Sequence, residues 1–111
     1  MAKPMPLMRG TLDILVLKTL SWGPMHGFEI TSWLEARSGG RLSIDDSALL
    51  QALHRMEERE LIEAAWGVTE NNRRARYYKV TQKGRAFLKA ELAKLAEYTE
   101  TLGGILAART V

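Results

Sequence analysis

The sequence predicts a mainly α fold that carries one small β-hairpin, and three observations predict it. In the first half, apolar residues recur at helical spacing, as in Leu12, Leu15, Val16 and Leu20. Between Leu61 and Val80 the period changes to alternation, the mark of half-buried strands. Beyond Thr81, Leu88, Leu92, Leu95, Thr99, Leu102 and Leu106 follow a 4-3-4-3-4 spacing, a heptad seam on one long helix.

Each element can be justified in order. Pro4 and Pro6 oppose helix, so residues 1–8 read as a loose arm. A first helix is expected over Arg9–Trp22. Leu12, Leu15, Val16, Thr19 and Leu20 share one face, while Ile14 and Leu17 widen it, so this helix expects partners on two sides. Gly23-Pro24 ends it. A second helix runs from about His26 to Arg37, with Phe28, Ile30, Trp33 and Leu34 apolar, and Gly39-Gly40 stops it. A third starts near Ser43 to Asp45. Ser43 suits the N-cap, and Asp45 and Asp46 sit where the helix dipole favours negative charge. Its inner face is Leu49, Ala52, Leu53 and Met56.

Ile62, Ala64, Trp66 and Val68 then alternate with Leu61, Glu63, Ala65 and Gly67, a strand. Glu70 to Arg74 is a polar turn in which Asn tolerates positive φ. Arg76 to Val80 forms the second strand. Thr81 caps the long helix towards Ala107, which Gly103-Gly104 weakens near its end. Trp33 and Trp66 are read as core. Three short helices followed by a hairpin are the parts of a winged helix-turn-helix, whose third helix enters the major groove and whose hairpin is the wing. The expected organisation is therefore an arm (1–8), a winged helix-turn-helix (9–80) and a C-terminal dimerisation helix (81–108).

The totals narrow the function. A chain of 111 residues holds one domain with a modest core, so a core shared between two copies is natural. The absence of cysteine removes disulfides, thiolate metal sites and cysteine nucleophiles together. The longest apolar run, Ile14 to Leu17, is too short to span a bilayer, and MAKPMPLMRG lacks the apolar stretch of a signal peptide. A soluble cytoplasmic protein with no membrane partner is the expectation. Catalysis finds little support. His26 and His54 lie in different helices, and Asp45-Asp46 are neighbours that do not converge on one site. No glycine-rich phosphate loop precedes a helix. No cofactor and no metal are expected.

Charge points to a partner. Asn71 to Arg85, NNRRARYYKVTQKGR, carries Arg73, Arg74, Arg76, Lys79, Lys83 and Arg85 and no acid, +6 against +3 for the whole chain. Such clustering suits a polyanion, and DNA is the commonest. Asn72, Arg73, Arg74, Arg76 and Tyr77 are the wing candidates for phosphate or minor-groove contact, with no nearby acid to pair Arg73 and Arg74. On the third helix, Ser47, Leu50, Gln51, His54 and Arg55 face outward if the apolar residues face in. Gln51 can pair with an adenine edge, Arg55 with a guanine edge, and Ser47 can donate to a phosphate. Against this, Asp45, Asp46, Glu57, Glu58 and Glu60 make the third helix acidic, so the wing must supply much of the attraction. The alternative is a winged-helix protein-interaction module without DNA binding. For Gln51 and His54 individually, an ordinary solvated surface is the competing reading.

Four segments carry a resemblance: RGTLDILVLKTL (Arg9–Leu20), GPMHGFEI (Gly23–Ile30), ALHRMEERELIEA (Ala52–Ala64) and WGVTENNRRARYYKVTQKG (Trp66–Gly84). In this order they resemble the PadR-like transcriptional regulators, the short subfamily with a single C-terminal helix. The resemblance implies a homodimeric repressor whose last helix crosses to the partner and packs near the partner's first helix. Leu12 and Leu15 would then join Leu88, Leu92, Leu95, Leu102, Ile105 and Leu106 at the interface. It also implies small planar aromatic effectors at that interface for some members, for which Trp22 and Tyr98 are the candidates here, with ordinary packing as the competing reading. One segment departs from the family pattern. Where the family usually reads Gly-Ser-Leu-Tyr-Pro, this chain has Ser47, Ala48, Leu49, Leu50 and Gln51. Ala48 and Leu50 cannot reproduce the phosphate hydrogen bonds of serine and tyrosine. Leu50 can instead touch a thymine methyl or a sugar, and Gln51 adds a base reader.

Overall fold

A computed structural model describes residues 10–109, so the expected arm over 1–8 lies outside the described residues. Seven elements follow in order: α1 (Thr11–Leu20), β1 (Met25–His26), α2 (Gly27–Arg37), α3 (Asp46–Glu58), β2 (Ile62–Val68), β3 (Arg74–Val80) and α4 (Gln82–Ala107). The fold is the expected mainly α winged helix-turn-helix with a long last helix.

The three N-terminal helices and the base of the hairpin enclose one core. Val16, Leu17 and Leu20 of α1, Ile30 and Leu34 of α2, and Leu49, Ala52, Leu53 and Met56 of α3 are buried. Leu61, Ile62, Tyr78, Val80 and Leu88 close it from the C-terminal side. Thr19 is buried too, and its hydroxyl is satisfied by donating to the Leu15 carbonyl at 2.8 Å.

Local sequence explains the helix ends. His26 caps α2 through a reciprocal pair. Its Nδ1 accepts from the Glu29 N–H at 3.3 Å, and the Glu29 carboxylate accepts from the His26 N–H at 3.1 Å. Asp45, not Ser43, caps α3 by accepting from the Ala48 N–H at 3.2 Å. A carboxylate at this position meets both the free N–H groups and the positive end of the dipole. Thr81 caps α4 as expected, accepting from the Gly84 N–H at 3.0 Å. The same hydroxyl donates to the Glu60 carbonyl at 2.7 Å, which ties α4 to the loop before β2. Gly84 is required there, because a Cβ would stand 2.0 Å from the Leu61 carbonyl oxygen.

Four further sequence expectations need correction. α1 is shorter than Arg9–Trp22, since Gly10 at φ 85 opens it in the left-handed region and backbone turns over Leu17–Gly23 close it. The hairpin is part of a three-stranded antiparallel sheet of order β1-β3-β2, because Met25 and His26 pair with Tyr78 and Tyr77. Two residues have no period, so this strand is invisible to alternation. β3 begins at Arg74 rather than Arg76. Trp66 is not core: it is 62% exposed, because the hairpin outgrows the domain beyond Ala64 and Tyr78. Trp33 does pack against the core, partly buried.

The long helix continues through Gly103-Gly104 to Ala107. At about 1.5 Å per residue its 26 residues span about 39 Å, which is why the molecule is 63 Å long.

Candidate nucleic-acid interface

The third helix presents the expected outward row. Leu49, Ala52, Leu53 and Met56 are buried, and Ser47, Leu50, Gln51, His54 and Arg55 are exposed. Their hydrogen-bonding freedom differs. The Ser47 hydroxyl donates to the Asp45 carboxylate, so it is partly occupied at the helix entrance. That bond and the Ala48 N–H hold the Asp45 carboxyl below its ordinary range. Gln51 and His54 make no side-chain hydrogen bond among the described residues.

Arg55 has a partner within the chain. Its Nη2 lies 2.9 Å from Asp13 Oδ1, so its guanidinium is turned to α1 and clamps α1 to α3. Arg76 is paired as well. Its Nη2 donates to Glu57 Oε2 at 2.9 Å, joining the wing to α3. Lys79 is likewise near Glu63 at 3.2 Å. Two members of the basic cluster, Arg76 and Lys79, are thus answered by acids that are distant in sequence.

The wing tip is different. Arg73 and Arg74 are exposed and have no carboxylate partner among the described residues. The turn that carries them is closed by Asn72 N–H to Thr69 O at 2.9 Å and Thr69 N–H to Arg73 O at 2.8 Å. Asn72 takes φ 59, the positive backbone that its side chain tolerates. The Arg74 guanidinium lies over the Trp66 ring, 4.4 Å from its centre. Trp66 and Arg74 reach each other diagonally across the ladder, since Val68 faces Arg74 and Trp66 faces Arg76. The exposed tryptophan therefore steadies an arginine, a role that alternation alone does not reveal.

Tyr77 braces the wing. Its hydroxyl donates to the Val68 carbonyl at 3.4 Å. Its ring covers Gly67, where a Cβ would come within 2.8 Å of it. The His26 ring packs against it edge-on at 5.3 Å, which links wing, β1 and the α2 cap. Burial raises the neighbouring Tyr78 phenol above its ordinary value, so it stays protonated.

The residues named for an interface between copies also separate. Leu88 is a correction: it is buried in its own domain. Leu12 and Leu15 are partly buried against the same core. Leu92, Leu95, Leu102, Ile105 and Leu106 are exposed along α4. Tyr98 lines a cleft of about 390 Å³ between the start of α1 and α4, with Ile14, Glu91, Lys94 and Leu95. Trp22 is not part of it. It packs on Trp33 at 6.4 Å between ring centres, so the two effector candidates do not share a pocket within one chain.

No group of His, Cys, Asp or Glu among the described residues is arranged to hold a metal ion, and no described helix is long and apolar enough to cross a membrane.

Comparison with known proteins agrees with this geometry. A PadR family transcriptional regulator from Eggerthella lenta is 25% identical, with a TM-score of 0.78 over 91% of this chain and 86% of that one. A protein from Streptococcus mutans shares the fold at a TM-score of 0.83, 22% identity and 96% coverage of both chains. Bacillus subtilis PadR, solved in complex with operator DNA, matches at a TM-score of 0.66 and 22% identity over 74% of this chain and 46% of that one. Residues 16–90 match the Transcriptional regulator PadR-like family, a span that contains α2, α3, the wing and the docked start of α4. Such proteins are transcription regulators, not enzymes, and this chain belongs to the PadR-like family.

Proposed function

We propose that the protein is a cytoplasmic, homodimeric, sequence-specific DNA-binding repressor that acts on a palindromic operator. One observation carries the reading: two arginines without carboxylate partners among the described residues sit at the wing tip, and α3 exposes Gln51 and His54 with no side-chain hydrogen bond among the described residues. In this reading α3 enters the major groove, and Arg73 and Arg74 meet phosphates or the minor groove. The operator-bound Bacillus subtilis relative supports the same use of the fold. Gln51 and His54 are the residues free to read base edges.

The dimer follows from α4. Residues 81–108 act as the dimerisation segment and residues 9–80 as the DNA-binding unit. Leu92, Leu95, Tyr98, Leu102, Ile105 and Leu106 leave an apolar row in water that a second copy would cover. A two-fold pair would set two recognition helices roughly 34 Å apart, one turn of DNA. The Tyr98 cleft would then be completed by the partner and could admit a small planar aromatic effector.

The test is a titration of the full chain against DNA from upstream of its own gene at several salt concentrations. The double variant Arg73→Ala, Arg74→Ala should bind every duplex more weakly, with the log-log salt slope reduced by about 0.9 per lost phosphate contact. An unchanged slope overturns the wing's role. Absence of binding at low salt favours the alternative, a protein-interaction module.

A further inference from the structure

Beside the outward row of α3 lies an open groove of about 450 Å³, bounded by the first turn of α2, by α3 and by β3. Two large apolar side chains stand at its edge: Phe28 is 77% exposed and Leu50 is 50% exposed. Leu49 and Leu53 are buried beneath them. Together they form an apolar ledge beside the wing.

The polar groups around the ledge are unsuited to a phosphate. His26 accepts the Glu29 N–H through Nδ1, which requires an unprotonated nitrogen there, and its Nε2 lies 3.4 Å from Glu29 Oε1. Arg76, which also lines the groove, is held by Glu57. Asp46 adds a carboxylate. An anion entering would meet like charge and no free cation, so the occupant is neutral and apolar. On the floor of the DNA major groove, the apolar group that base edges offer is the 5-methyl of thymine.

We propose that Leu50 and Phe28 together form a seat for thymine methyl groups, which makes them specificity-determining residues of the operator contact. The inference rests on the DNA-binding reading above. Leu50 precedes Gln51 on the exposed row, so apolar and hydrogen-bonding readers would address neighbouring base pairs. Phe28 extends the seat from a different helix. The seat selects for thymine without a hydrogen bond.

Thymine-to-deoxyuridine replacement isolates this contact, because it deletes one methyl and leaves every base-pair hydrogen bond in place. Duplexes are first selected by the full chain from a randomised pool. Each thymine of the selected site is then replaced in turn. At one or two positions per half-site deoxyuridine should weaken binding about fourfold, the value of one buried apolar carbon. Leu50→Ala or Phe28→Ala should bind the thymine and deoxyuridine duplexes equally at those positions. Both residues are exposed, so the variants should melt like the parent. Equal affinity of the parent protein for the two duplexes at every position overturns the seat and leaves DNA binding standing. A thymine preference that survives in both variants does the same. Failure to select any duplex removes the DNA-binding reading and the seat together.

Discussion

The two longest structures of this chain are each divided into a docked half and a free half. At the start of α4, Gly84 and Leu88 are buried against the domain, and beyond Glu91 Leu92, Leu95, Tyr98, Leu102, Ile105 and Leu106 all face water. In the hairpin, Ile62, Tyr78 and Val80 are buried at the base, while Trp66, Val68, Arg73 and Arg74 stand exposed towards the tip. The docked halves hold the monomer together. The free halves retain the groups that a second molecule would use, an apolar row on one and a pair of arginines on the other. Stability and recognition therefore occupy different stretches of the same elements, and substitutions in the two should have different signatures.

The sharpest test is at the docked end of α4. Gly84→Ala forces a methyl to within 2.0 Å of the Leu61 carbonyl oxygen, and backbone cannot yield as a flexible side chain would. A loss of about 3 kcal/mol in denaturant-induced unfolding is expected. Leu88→Ala leaves a cavity beneath the same helix, with a loss of about 2 kcal/mol or more by the same measurement. If either variant unfolds like the parent, α4 is not docked as described.

Substitution in the free half should spare the monomer. Leu95→Glu combined with Leu102→Glu should halve the mass seen by light scattering. It should also remove the rise of melting temperature with protein concentration that an associating parent shows. A parent that is already monomeric at micromolar concentration would break the comparison, leaving the free half of α4 without a partner.

On the wing, Trp66→Ala removes the surface over which Arg74 lies. An exposed cation–π contact is worth about 0.5–1 kcal/mol, so DNA affinity should fall about two- to fivefold. Thermal stability should barely change, because Trp66 contributes little to the core. A large stability loss in this variant would mean that the tip belongs with the base.

The smallest effect concerns the entrance of α3. The Asp45 carboxyl is held below its ordinary value first by the Ser47 hydroxyl and then by the Ala48 N–H. Its folded pKa is depressed, so its contribution is complete above the unfolded value and is lost as pH falls through the folded one. Asp45→Asn should therefore flatten the acid limb of the stability profile below about pH 4 and change little at neutral pH. An unchanged acid limb would show that this cap is already dispensable.

Much of this architecture was legible without coordinates. The change from helical to alternating period located the hairpin, and the Thr81 hydroxyl marked the start of α4. The outward row of α3 emerged because its inner residues, Leu49, Ala52, Leu53 and Met56, keep a helical period. Trp66 was misjudged because alternation reports which face a residue takes, and says nothing of how far the domain extends beneath it. β1 escaped for want of length. The partners that Arg55, Arg76 and Tyr77 meet inside the chain were not legible, because Asp13, Glu57 and Val68 come to them only through the fold.

What the sequence determined by itself were the local properties: the order of the helices and the hairpin, the cap at Thr81, the positive backbone tolerance at Asn72 and the concentration of charge on the wing. These depend on residues three or four apart, where the spacing of the chain dictates who meets whom. The tertiary structure decided which of the basic groups remain free. Asp13 lies 42 residues from Arg55 and Glu57 lies 19 from Arg76, and only the packing of α1, α3 and β3 brings those charges within 2.9 Å. A count of charges along the chain therefore predicted a basic finger, and the fold left Arg73 and Arg74 at its tip without carboxylate partners among the described residues.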